Sequence, residues 1–458
     1  MTTCTIARPV AEASPRARRR GLLDGCREHR DDVSLALVLA AAVYGIVSHT
    51  LHPIDSGDEM MRLAQNLAAH GSFANPFSVL ATGPTAVNPP LYPFILAVFI
   101  RILHSPALVS AAAIAACTVA NAFAATLLLR LSVVFYGDMV PGLFASLLWI
   151  PVMPDMPGWD TSYTVAGLLA FCLLTSSLSE AKRSFGRAAM GGALAGLLFL
   201  LNPSSLLVSL PWTGFLVWRA KPAWRSALAH GAIVVVVLSA FIVGWCGRNY
   251  HQLGAFVVRT NLGMTLYASN NDCAQSSMIR NELNGCYQTH HPNTSVKEAA
   301  SLSSLGEARY DRIRTADAWK WISANPAKFL RLTTARAWQF WFPATETVHG
   351  SIDTADRHVA MSTRLQAWIA HQNRLAYGVW AITALSIPGF ILMLRRKVTM
   401  TVFAAAALLV YPLLYYIVVS DIRYRYPVLW LSLLPAGYWL GDVAEGCSRM
   451  SAKTRSEG

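Results

Sequence analysis

The chain has 458 residues, of which 54% are hydrophobic and 14% charged, and its formal net charge is +13. Soluble domains run at about 45–50% apolar and roughly 25% charged residues, so a soluble multidomain protein, a disordered chain and a small disulfide scaffold are excluded. The Lys and Arg residues fall in short clusters between apolar segments rather than along one face, which argues against nucleic acid and for topology signals and phosphate contacts.

In chain order, Arg16, Arg18, Arg19 and Arg20 precede an apolar run over 33–47 that has no small-residue cleavage site after it. A retained first span is expected, with residues 1–32 in the cytoplasm and 48–90 as the first external loop. Further apolar segments at 91–104, 107–129, 139–153, 161–178, 188–201, 204–218 and 229–247 complete an N-terminal membrane module over 33–247. Residues 248–373 form one long polar region, expected to be external and to carry helices over 307–324 and from Pro326 to about 342. Lys328, Arg331 and Arg336 share the second of these with Trp338, Trp341 and Phe342, the mixture of a membrane-surface helix or of a soluble cap helix with a basic face. Spans at 374–394, 398–418 and 427–443 and a basic cytoplasmic tail over 444–458 close the chain. Basic connectors at Lys182/Arg183/Arg187, Arg219/Lys221/Arg225 and Arg395/Arg396/Lys397 mark the cytoplasmic turns. Counting back from them places 151–161 outside, so one of the segments 91–104, 107–129 and 139–153 must fail to cross. The fold class expected is an all-α polytopic membrane protein of about ten or eleven spans with its site on external loops.

Of the eight cysteines, only Cys273 and Cys286 share the external region, and a disulfide between them is expected. Neighbouring His290 and His291 point different ways along a chain and give no metal-ligand spacing.

Four external segments concentrate polar chemistry. Asp55, Asp58 and Glu59 follow the first span at the water boundary, where partial dehydration raises carboxylate basicity; the same acids also suit the start of a short helix over 60–70. Asn88 and Tyr92 flank a proline pair at the entry to the next apolar segment, with Tyr92 placed as an interfacial anchor. Asp155 and Asp160 occupy a Pro- and Gly-rich turn that either brings a second carboxylate to the first or is an ordinary hydrated turn. Near the end, Asp421-Ile422-Arg423-Tyr424-Arg425-Tyr426-Pro427 is expected to be extended, so that Arg423 and Arg425 share one side as a phosphate clamp or interfacial anchors. Arg248, with Arg259 and Asn261, either positions a head group or orders its loop.

This order of motifs resembles the GT-C membrane glycosyltransferases, and most closely the family 39 type, bacterial relatives of the protein O-mannosyltransferases and the lipid A aminoarabinose transferases. The likeness rests on Asp58-Glu59-Met60 through Leu67-Ala68 and Gly71, on Pro89 to Pro93, on Trp245 to Tyr250 with Arg259 to Gly263, and on Asn325-Pro326 through Pro343. It implies Asp58 as base, then Glu59 and Asp55, with Asp160 as the second-loop acid. Arg423, Arg425, Tyr424, Arg248, Arg259, Asn261, Tyr92 and Asn88 would face the donor phosphate or substrate. Asn88 stands where the aminoarabinose branch has a lysine, so donor and acceptor need not be that branch's. The implied reaction moves a sugar from a polyprenyl-phosphate donor to a glycan, lipid or protein hydroxyl with inversion, at the periplasmic face of a bacterial inner membrane. It requires no cofactor, although a divalent metal between Asp58 and Asp160 is possible. The alternatives are a lipid-linked sugar flippase or an inactive carrier-binding scaffold; acids at the external boundary rather than mid-membrane favour the enzyme.

Overall fold

The protein is described here from a computed structural model, which describes residues 28–49, 59–179, 184–221, 223–346, 351–354, 357–360 and 363–457. It is an all-α polytopic membrane protein. Helix α1 (Arg30–His49) is followed by α2 (Glu59–His70), α3 (Leu91–Leu103), α4 (Pro106–Tyr136), α5 (Val140–Trp149), α6 (Thr161–Thr175), α7 (Phe185–Leu201), α8 (Leu206–Arg219) and α9 (Trp224–Leu253). A polar region then holds α10 (Leu262–Ser269), α11 (Met278–Leu283), α12 (Cys286–His290), α13 (Val296–Leu305), α14 (Glu307–Ala324) and α15 (Pro326–Trp341). After a two-stranded antiparallel ribbon of β1 (Ser351–Thr354) and β2 (Arg357–Ala360), the chain returns through α16 (Thr363–Arg395), α17 (Met400–Val410), α18 (Leu413–Tyr416) and α19 (Tyr426–Glu457).

Among the described residues five helices are long and apolar enough to cross a membrane, alongside shorter apolar helices. Their outer faces carry large apolar side chains: on α1, Leu35, Leu39, Val43, Ile46 and Val47 are all exposed, the arrangement a lipid solvent selects. Inside, close approach replaces the hydrophobic driving force. A Cβ on Gly389 of α16 would overlap the Pro435 carbonyl of α19, and one on Gly437 would overlap that of Pro141 in α5.

Helix α3, with 13 residues, spans about 20 Å, and α5, with 10, about 15 Å, both less than a hydrocarbon core of about 30 Å. In α4 the bundle's end is marked by Cys117 and Asn121, which meet the Pro154 carbonyl of the turn after α5. Leu96 and Ala97 of α3 pack with Val109 and Ala113, one to two turns beyond that level. Arg101 then bonds the carbonyls of Leu67 and Ala68 at the end of α2, so α2 and α3 lie side by side as a platform across one end of the bundle.

The polar region packs on the same end. Gly263 of α10 lets the backbone of α14 approach so closely that a Cβ would overlap the Asp311 carbonyl. Buried Glu307, at the start of α14, accepts bonds from the Ala86 amide and the Thr260 hydroxyl and ties both loops to the helix. Burial pushes its carboxyl up from the usual range against those bonds. Pro326 opens α15 as the first-turn rule predicts, but Asn325 bonds back to the Trp321 carbonyl rather than capping it. Arg336 is fully buried, donating to Ser269, Asn270 and Ile417, so it is not part of a basic outer face; Arg331 is exposed, beside the exposed apolar Leu330 and Trp338.

Candidate functional site

Glu59 opens α2, and its Oε2 accepts from the Asn88 side-chain amide at 3.0 Å. His291, at the end of α12, holds Nε2 3.9 Å from Glu59 Oε1. The backbone N–H of Asn293 donates to His291 Nδ1 at 3.1 Å, so the neutral ring carries its proton on Nε2, towards the carboxylate. Burial lowers the affinity of this imidazole for a second proton, with Glu59 opposing that effect. Asp55 and Asp58 lie outside the described residues; Glu59 fixes where the end of their segment enters the platform.

Asp160 stands at the N-terminal end of α6, and its Oδ2 accepts from Thr164 Oγ1 and Asn202 Nδ2, each at 3.0 Å. Burial pushes this carboxyl up, against those hydrogen bonds and the charge of Arg259. Asn202 Oδ1 accepts from Ser204 Oγ, which meets the Tyr411 hydroxyl, and Tyr411 in turn meets Tyr415. Tyr415 stacks on Tyr424 with ring centres 4.5 Å apart, so a polar and aromatic chain runs from Asp160 to the late Arg-Tyr turn.

Two guanidinium groups sit among these acids. Arg259 donates Nε to the Val87 carbonyl at 2.8 Å and interacts electrostatically with both Asp160 and Glu59. Arg423 pairs with Asp421 at 2.9 Å and lies over Trp159, with its guanidinium carbon 3.9 Å from the ring centre. Burial works against its charge, but Asp421, Tyr424 and Glu59 outweigh it and hold the guanidinium firmly protonated. Glu282 of α11 lies in the field of the same pair; burial and Asp421 push its carboxyl up to about 7, with Arg423 opposing.

Several expected site residues play other parts. Residues 422–424 form a single 3-10 turn rather than extended chain, which separates Arg423 from Arg425. Arg425 is buried against Trp341 and Phe340 and donates to Ser432 Oγ at 2.6 Å, and burial lowers its pKa to about 9. It is no half of a phosphate clamp. Arg248 donates to the carbonyls of Thr85 and Phe73 and lies over Trp245, so it orders the loop. Tyr92 is buried, not interfacial; its hydroxyl bonds the Pro157 carbonyl and braces the turn that carries Asp160. Asn261 closes the first turn of α10 through its carbonyl, with no side-chain cap.

Asp155 is no hydrated turn either. Its Oδ2 accepts from Ser48 at 2.5 Å, and its Oδ1 lies 2.6 Å from His371 Nε2. Arg374 donates to His371 Nδ1 at 2.7 Å, so the ring gives its Nε2 proton to Asp155. This buried knot joins the ends of α1 and α16 to the turn after α5.

Cys273 and Cys286 form a disulfide with Cα atoms 5.6 Å apart. His290 turns towards that bridge and His291 towards Glu59, so the two adjacent rings do diverge. Among the described residues the one grouping with metal-ligand proximity is Cys273, Cys286 and His290, whose sulfurs are already bonded to each other. In the described half of the Asp58–Asp160 pair, Asp160 Oδ2 accepts from two donors and the carboxylate lies in the field of Arg259. His291, Glu282 and Trp159 were not legible as site residues, because nothing in their spacing ties them to Glu59 or Arg423.

No protein family and no curated protein matches the chain. Among solved structures it is similar to the archaeal oligosaccharyltransferase AglB from Archaeoglobus fulgidus, determined in complex with an inhibitory peptide and a dolichol-phosphate. The identity is 13% and the TM-score 0.49, over 94% of this chain and 52% of that one. The chain thus spans about half the length of that protein.

Proposed function

We propose that the chain is an inverting GT-C glycosyltransferase of the family 39 type, moving a sugar from a polyprenyl-phosphate donor to an acceptor hydroxyl at the outer face of a bacterial inner membrane. The observation that carries this reading is the meeting, at one end of a membrane bundle, of two acids and two cations from four separate segments: Glu59, Asp160, Arg259 and Arg423.

In the reaction the acceptor oxygen forms a bond to the anomeric carbon while the bond from that carbon to the phosphate oxygen breaks. The acceptor proton passes to the carboxylate of Asp58, next to Glu59, and the electron pair leaves with the lipid phosphate. A phosphate leaving group needs charge stabilisation more than protonation, and Arg423, kept charged by its acidic neighbours, supplies it with Arg259. Asn88 and His291 orient Glu59 beside the base. No step passes through a metal.

The test is transfer from a panel of radiolabelled polyprenyl-phosphate sugars by wild-type protein, Asp58→Asn and Glu59→Gln in lipid nanodiscs, with and without EDTA. Turnover by the wild type, lost in Asp58→Asn and unaffected by EDTA, is expected. Full turnover by Asp58→Asn removes that residue as base, and carrier binding without any turnover points to a flippase or scaffold instead.

A further inference from the structure

We propose that the groove between α2 and the 75–81 turn is the acceptor subsite, and that it takes a carbohydrate bearing an anionic group; this rests on the transferase reading above. Arg62, Gln65, Asn66, Asn75, Phe77 and Ser78 line a cavity of about 350 Å³, at the lower end of the roughly 300–1,000 Å³ of small-molecule sites. Its wall is built rather than loose. Ser78 is held by two hydrogen bonds to Asn293, at 3.0 and 2.7 Å, and Asn75, in the left-handed region at φ 56°, accepts the Gly83 amide at 2.8 Å.

The groove reaches the reacting end of the molecule through one aromatic layer. Phe77 meets His291 edge to face at 5.8 Å, and His291 faces Glu59. On α2 itself Arg62 follows Glu59 by one turn and Asn66 by two, positions that share a helix face.

The lining states the chemistry of the ligand. Side-chain amides suit hydroxyl groups, and the buried Phe77 backs the groove. Arg62 sets the charge: its Nε is shielded from solvent with no hydrogen-bond partner, and it has no ion pair among the described residues. A buried guanidinium N–H left unpaired is costly, and a carboxylate or phosphate on the ligand satisfies it. Arg423, the cation assigned to the donor phosphate, contacts Asp421, Trp159 and Tyr424, none of which lines this groove.

The experiment is equilibrium binding to nanodisc-embedded protein, without donor, of glucose, glucuronate, glucose 6-phosphate and methyl phosphate. Glucuronate and glucose 6-phosphate are expected to bind at least about tenfold more tightly than glucose. Arg62→Gln should abolish that preference and Arg62→Lys retain part of it. Equal binding of charged and neutral sugars, no binding of any sugar, or an unchanged preference in Arg62→Gln overturns the proposal. Methyl phosphate binding as tightly as glucose 6-phosphate, with the same loss in Arg62→Gln, assigns the groove to the donor phosphate and overturns it too. Failure of transfer with sugar binding intact would sink the transferase reading and leave the groove standing.

Discussion

Two pairs of arginines, one in the last turns of α9 and the segment after it and one in the turn before α19, divide by their neighbours. Arg259 and Arg423 face acids, whereas Arg248 and Arg425 are spent on carbonyls, a serine hydroxyl and aromatic faces. Within each pair the side chains are the same, so the neighbours decide the role. At Arg423 the acids outweigh burial and keep the charge available to a phosphate; at Arg259 burial lowers the pKa with Asp160 and Glu59 opposing it; a guanidinium enclosed by rings and backbone becomes part of the scaffold.

The sharpest way to break this comparison is to treat the late pair alike. Arg423→Met should lower transfer about 10²–10³-fold, the scale of losing one preorganised charge donor, while Arg425→Met stays within about threefold of wild type, since an apolar replacement for a buried cation is often neutral. Equal losses in the two, measured as initial rates, would return Arg425 to the site. For the early pair, Arg248→Ala leaves the Thr85 carbonyl without its donor and should destabilise the 71–90 loop by about 1–3 kcal/mol, read as faster limited proteolysis there.

The smallest expected effect is a pH dependence. Folded Glu282 titrates at about 7, above the roughly 4.3 of an unfolded glutamate, so protonation favours the folded state. Its contribution is complete below about 4.3 and is lost as pH rises through 7. Glu282→Gln should therefore flatten the fall in melting temperature between pH 5 and 8, and an unchanged slope would remove Glu282 from that titration. Arg423→Met, which takes away the cation opposing the shift, should move the fall to higher pH.

Periodicity and composition alone were enough to place the apolar helices, because a lipid-facing helix must be apolar over most of its length whatever it packs against. They could not tell that α3 pairs with the end of α2, since its 13 residues are as apolar as a span and only its packing and the Arg101 bonds reveal the pairing. The same limit separates the site residues. The acids of the first loop and Asp160 stand out because charge at a membrane boundary is costly and rare, which is visible in the residues themselves. The meeting of His291 with Glu59, the turn that parts Arg423 from Arg425, and the pairing of Asp155 with His371 join positions far apart or reverse a local preference. Such contacts belong to no segment of the chain, and only the tertiary structure, by choosing which buried charges meet a partner, decides them.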